Sequence, residues 1–175
     1  MKLLGVEARS VVIDLLAGGI PQIADATLTY ERVNTALIVP LARNVYAERL
    51  LIAEKIIDVM QEANLPIFEP IWVTDLQKRR LIGPPVVRKE VEGLVLVDGM
   101  HRCFVARQRH ILDVEVLLVR NCTVPLPAKV NRWENVKTMP HTLPLEENFN
   151  ELRSEHFIPF TDFWNSNARV IDGRI

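Results

Sequence analysis

The residues of this 175-residue chain best suited to chemistry stand in one short stretch, Asp98-Gly99-Met100-His101-Arg102, within LVLVDGMHRCFVAR. The apolar run Gly93 to Val97 reads as a buried strand and His101 to His110 as the helix that follows it, so these residues form a strand-to-helix turn. A helix start leaves backbone N–H groups unpaired and carries the positive end of the helix dipole, a combination that favours an anion. Gly99 lets a ligand approach the backbone closely. His101 and Arg102 add donor or cationic groups, and Arg grips phosphate through two parallel bonds, so phosphate is the anion expected here. Asp98 fits beside a phosphate only if it holds Mg²⁺, takes a proton from a hydroxyl nucleophile, or caps the helix. For His101 the plainer alternative is a structural hydrogen bond.

Several elements must position that turn. Val6 to Ala17 places Val11, Val12, Leu15 and Leu16 near one helical stripe, with Gly18-Gly19 as a left-handed stop. Thr35 to Leu41, with Pro40 near its end, reads as a short edge strand. Tyr46 to Ala63 reads as a helix with an apolar stripe of Ile52, Ile56, Val59 and Ala63; Asn64 and Pro66 stop it, and Ile71 to Thr74 starts a strand. The charged segment Asp75 to Glu92, with Gly83-Pro84-Pro85, reads as a long excursion between two strands of one hairpin. Val114 to Val119 is another core strand. Beyond it Pro125, Pro127, Pro140 and Pro144 break the chain, and the tail FIPFTDFW gathers aromatics that either pack on their own domain or make an oligomer contact such as a homodimer. The expected fold is α/β (α+β), a small mixed sheet with helices. It divides into an N-terminal helix and lead-in (1–34), a core (35–122) and a Pro-rich, aromatic C-terminal arm (123–175).

Composition narrows the function classes. Apolar residues at 49% and charged residues at 25% suit a folded domain, and a formal charge of -1 speaks against nucleic acid or an anionic membrane as the default partner. One local basic cluster, Lys78, Arg79, Arg80, Arg88 and Lys89, reads either as a track for a phosphate backbone or as a solvated loop. Two cysteines are too few for a disulfide framework or a four-ligand zinc site. Glu7, Arg9 and Asp14 interrupt any signal-peptide core, and no run approaches the roughly 20 apolar residues of a membrane span, so a cytoplasmic protein is expected.

The apolar strand, Asp98-Gly99-Met100-His101-Arg102 and Ala106 in the helix together resemble the signature box of the ParB/sulfiredoxin superfamily, a strand followed by Gly-x-[His/Arg]-Arg-x-x-Ala. The order IVPL, AEKIIDVMQEANL, EPIWV is similar to the family layout, and the likeness covers Leu37 to Val119, about half of the chain. It implies a small α/β domain binding nucleotide phosphates at this turn, in members that hydrolyse CTP, reduce overoxidised peroxiredoxins with ATP, or phosphorylate free serine. Met100 stands where sulfiredoxins carry their catalytic Cys, which argues against reductase chemistry. The Pro-broken segment after Val119 leaves no room for the helix-turn-helix domain of chromosome-partitioning members, although Glu134-Asn135 is similar to a nucleotide-contacting pair of theirs. The free-serine kinases, with Asp-Gly-His-His-Arg, resemble the turn best. Their catalytic Glu belongs to a loop that here reads Leu41-Ala42-Arg43-Asn44, with Glu48 and Glu69 as the nearest substitutes. The resemblance thus implies an ATP- or ADP-dependent phosphotransferase, with CTP as an alternative, using Mg²⁺ and acting on a small hydroxyl compound such as an amino acid. Gly99, Met100, His101 and Arg102 would bind the nucleotide. Asp98, His101, Glu48 and Glu69 would be catalytic, Asp98 would hold the metal, and Arg43 and Asn44 would meet the substrate. The alternatives are a nucleotide-binding module without turnover and a ParB-like nucleic-acid-binding or nuclease protein.

Overall fold

All six residues from Val114 to Val119 are buried, Glu115 included, so this strand needs cover on both faces. The computed structural model, which describes residues 1–75, 78–158 and 160, supplies that cover. In chain order its elements are β1 (Lys2–Val6), α1 (Arg9–Gly19), β2 (Thr27–Asn34), β3 (Ile38–Pro40), β4 (Asn44–Tyr46), α2 (Ala47–Glu62), β5 (Ile71–Asp75), β6 (Lys78–Ile82) and β7 (Val86–Glu90). There follow β8 (Gly93–Asp98), α3 (Met100–Gln108), β9 (Asp113–Arg120), β10 (Lys137–Met139) and α4 (Leu145–Asn148). Mixed α/β content, as expected, is what the chain forms.

A five-stranded mixed sheet in the order β2-β9-β7-β8-β3 is the centre, with β9 antiparallel to β2 and parallel to β7. Successive strand residues point to opposite faces, and the packing follows that alternation. Val114, Val116 and Leu118 pack with Ile56, Ile57 and Met60 of α2 and Cys103, Val105 and Ala106 of α3. Leu117 and Val119 pack on the opposite side with Val12 and Leu16 of α1. Each such fully buried aliphatic side chain contributes about 1.5–3 kcal/mol relative to exposure. A three-stranded antiparallel sheet, β1-β5-β6, and a parallel pair, β10-β4, complete the fold.

The edge strand near Pro40, the long helix, the strand after Pro70 and the strand-to-helix turn all form where expected. Four expectations need correction. Residues 2–34 are not a lead-in: β1 pairs with β5, and β2 pairs along its whole length with β9. The buried face of α2 is Ala53, Ile56, Ile57 and Met60, leaving Ile52 45% exposed, because the helix packs under a sheet and not along the stripe read from the sequence. Helix α1 stops without a left-handed residue; Ile20 is extended and Pro21 follows. Asp75 to Glu92 is not an excursion but two further strands, β6 and β7, whose charges lie on strand faces instead of in a loop. From the C-terminal tail, Ile158 and Phe160 pack against α1 in their own domain, while Phe163 and Trp164 lie outside the described residues.

Candidate functional site

At the turn, β8 ends on Asp98, Gly99 occupies the N-cap with φ 89°, and α3 begins at Met100. The first bond of α3 runs from the Cys103 N–H to the Gly99 carbonyl at 3.0 Å, so the N–H groups of Met100, His101 and Arg102 have no acceptor within the helix. Gly99 is needed for a different reason from the one expected. A Cβ there would lie 2.8 Å from the Pro85 Cβ and 2.9 Å from its Cα, so what approaches this backbone is the chain after β6. Asp98 stands one residue before the N-cap, and its carboxylate pairs with Arg102 at 3.5 Å, both side chains 13% exposed. The Arg102 guanidinium also donates to the Gly83 carbonyl and lies over the Phe68 ring at 5.8 Å. Arg102 is therefore a tie between α3 and the β6–β7 connection as well as a wall of the site.

These residues open onto a cavity of about 980 Å³. Its charged lining among the described residues consists of Arg49, Lys78, Arg79, Arg80 and Arg102 against the single carboxylate of Asp98. Arg49 comes from the first turn of α2, lying over Tyr46 at 5.6 Å, and Lys78, Arg79 and Arg80 come from edge strand β6. Arg79 stacks over Trp72 at 4.5 Å. His101 packs its ring on Tyr46 at 5.4 Å, and its buried Nε2 has no hydrogen-bond partner. Burial, with Arg49 and Arg102 adding repulsion, pushes the imidazole down to about 4. At neutral pH His101 is thus an uncharged hydrogen-bonding group and not the cation allowed for from sequence.

The remaining sequence candidates scatter. Glu48 is exposed and does not line the cavity. Glu69 is buried in an ion pair with Arg9, whose Nε donates to its Oε1 at 2.9 Å, and Arg9 also meets Glu115 at 3.1 Å. It fastens α1 to the sheet, and neither carboxylate replaces a catalytic Glu. Arg43 is exposed and faces a second cavity, whereas Asn44 lines both. Among the described residues no group of three His, Cys, Asp or Glu side chains could hold a metal, so Asp98 does not build a resident metal site with neighbours of those types. The basic cluster divides: Lys78, Arg79 and Arg80 line the cavity, Arg79 with its guanidinium over Trp72, while Arg88 is buried, pairing with Glu90 and donating to the Val124 carbonyl at 2.7 Å. Cys103 is fully buried, and burial pushes its thiol up to about 12, which leaves it inert.

Sequence reasoning missed Tyr46, Arg49 and the aromatic rim of Phe149 and Phe157. No local signal marks these residues, because the cavity is assembled from segments far apart in the chain; the KRR run stood out, but it read as a track for a phosphate backbone or as a solvated loop. Among the described residues no helix is long and apolar enough to cross a membrane. Comparison of the chain with protein-family models, with curated proteins and with solved structures finds no match.

Proposed function

We propose that this protein binds a nucleotide through its phosphates at the start of α3 and transfers a phosphoryl group to a small hydroxyl compound. The observation that carries the reading is the 980 Å³ cavity whose lining, among the described residues, combines five cationic residues and a helix N-terminus with one carboxylate. Such a surplus of positive charge, in a concave site, is suited to a polyanion the size of ATP or ADP. Phosphoryl transfer consists mostly of positioning and charge stabilisation, which Arg49, Arg80, Arg102 and the α3 backbone supply. The acceptor oxygen would bond to the terminal phosphorus as the bond from that phosphorus to the bridging oxygen breaks. The shortened nucleotide leaves, and the hydroxyl proton passes to the Asp98 carboxylate. Mg²⁺ enters this scheme with the phosphates, as part of the substrate. A nucleotide-requiring reaction and two free cysteines are consistent with a reducing cytoplasm.

One observation favours the second reading, a nucleotide-binding module without turnover: Asp98, the sole carboxylate lining the cavity among the described residues, is engaged by Arg102. Calorimetry with ATP, ADP and CTP, with and without Mg²⁺, tests the binding, and product analysis with a pool of hydroxyl compounds tests the turnover. Saturable binding weakened about tenfold by Arg80→Ala is expected, with less affinity at high salt. If none of the nucleotides saturates the protein, the reading fails; binding without product in any mixture leaves the module.

A further inference from the structure

The parallel pair β10-β4 sets Lys137 beside Asn44 and shapes a second cavity, of about 640 Å³. Its wall is fixed by backbone contacts: the Lys137 N–H donates to the Arg43 carbonyl at 2.9 Å, and the Arg43 N–H donates to the Asn148 carbonyl at 2.8 Å. Four asparagines line it, Asn44, Asn131, Asn135 and Asn150. Two of them hold the wall, Asn44 donating to the Glu147 carbonyl and Asn131 to the Ala42 carbonyl, both at 3.3 Å. The amides of Asn135 and Asn150 make no side-chain hydrogen bond among the described residues. Two cations, Arg43 and Lys137, are balanced by two carboxylates, Glu134 and Glu147, and none of the four forms an ion pair among the described residues. Met139 and Leu143 add an apolar surface.

We infer that this cavity binds an uncharged polyhydroxylated compound, a sugar or polyol. Among the described residues its lining carries no net charge, so it does not select an ion of either sign, in contrast to the cation-rich first cavity. Each amide offers a donor and an acceptor, the combination that a hydroxyl group needs. Charged groups left without ion pairs add stronger hydrogen bonds to hydroxyls, and Met139 and Leu143 suit the C–H face of such a ligand. Asn44 belongs to both cavities, so a hydroxyl bound here stands against the same wall as the anion of the first. That this hydroxyl accepts the phosphoryl group rests on the nucleotide reading; the binding does not.

Saturation-transfer NMR and calorimetry with glucose, myo-inositol and glycerol, with serine and betaine, and with ATP decide the matter on the full chain. At least one of the uncharged compounds is expected to saturate the protein. The double variant Asn135→Ala/Asn150→Ala should weaken it about tenfold or more with unchanged thermal unfolding, whereas Arg80→Ala should weaken ATP alone. The proposal is overturned if only the zwitterions bind, if none of the uncharged compounds saturates, or if the double variant binds as wild type does. Sugar or polyol binding without ATP binding would support this site while removing the nucleotide reading.

Discussion

Replacing Gly99 by Ala perturbs the site at the point where α3 begins, and the cost can be worked from two contributions. The backbone has φ 89°, where a Cβ is disfavoured by about 1–2 kcal/mol. The added methyl would also lie 2.9 Å from the Pro85 Cα, which is backbone and cannot rotate away, so overpacking adds about 1–3 kcal/mol. Together they give about 3 kcal/mol, which for a chain of this length lowers the melting temperature by roughly 6–12 °C. Gly93 provides an internal control. It too has positive φ, 117°, but a Cβ there meets only Val39 at 3.9 Å, so Gly93→Ala should show the backbone contribution alone. Urea and thermal unfolding of both variants measure the difference. A loss below about 1 kcal/mol for Gly99→Ala, or equal losses for the two variants, would refute the contact with Pro85 as the reason for this glycine.

Arg102→Ala should lower stability by about 1–3 kcal/mol besides weakening nucleotide binding, because it removes the donor to the Gly83 carbonyl and the ion pair with Asp98; an unchanged unfolding midpoint would show that the tie is idle. His101 titrates near 4 when folded and near 6.5 when unfolded, so the unfolded chain takes up the proton first as pH falls. Stability should be full above about pH 6.5, decline by up to about 3 kcal/mol toward pH 4 and level off below, and urea titrations of His101→Phe should lack that loss. Arg9→Ala strands Glu69 and Glu115, whose side chains are 12% and 9% exposed, and should cost about 2 kcal/mol after discounting for the 41% exposure of Arg9. Adding Glu69→Gln and Glu115→Gln should restore most of it; no recovery in denaturant unfolding would locate the loss elsewhere.

Local sequence determined those elements whose signals are local. The existence and extent of α2, the stop at Asn64, the short edge strand ending at Pro40 and the apolar run into Asp98-Gly99 are all legible, because periodicity, turn residues and strand composition act within a few residues. The turn was therefore visible from the sequence, along with the surplus of donors at its helix start. Its surroundings were not. Strand β2, whose polar-apolar alternation breaks at Glu31-Arg32, exists because β9 offers it a full antiparallel ladder. The KRR run becomes one wall of a cavity only because β6 sits at an open sheet edge, with Arg49 brought opposite it by α2. Arg88 looked like one more surface cation until the sheet buried it beside Glu90. Glu69, read as a stand-in catalytic carboxylate, turned out to be held by an arginine 60 residues earlier in the chain. Residue type and spacing fix what a group can do, but which groups share a cavity, and whether a charge is already spent on a partner, are decided by pairings across long stretches of chain.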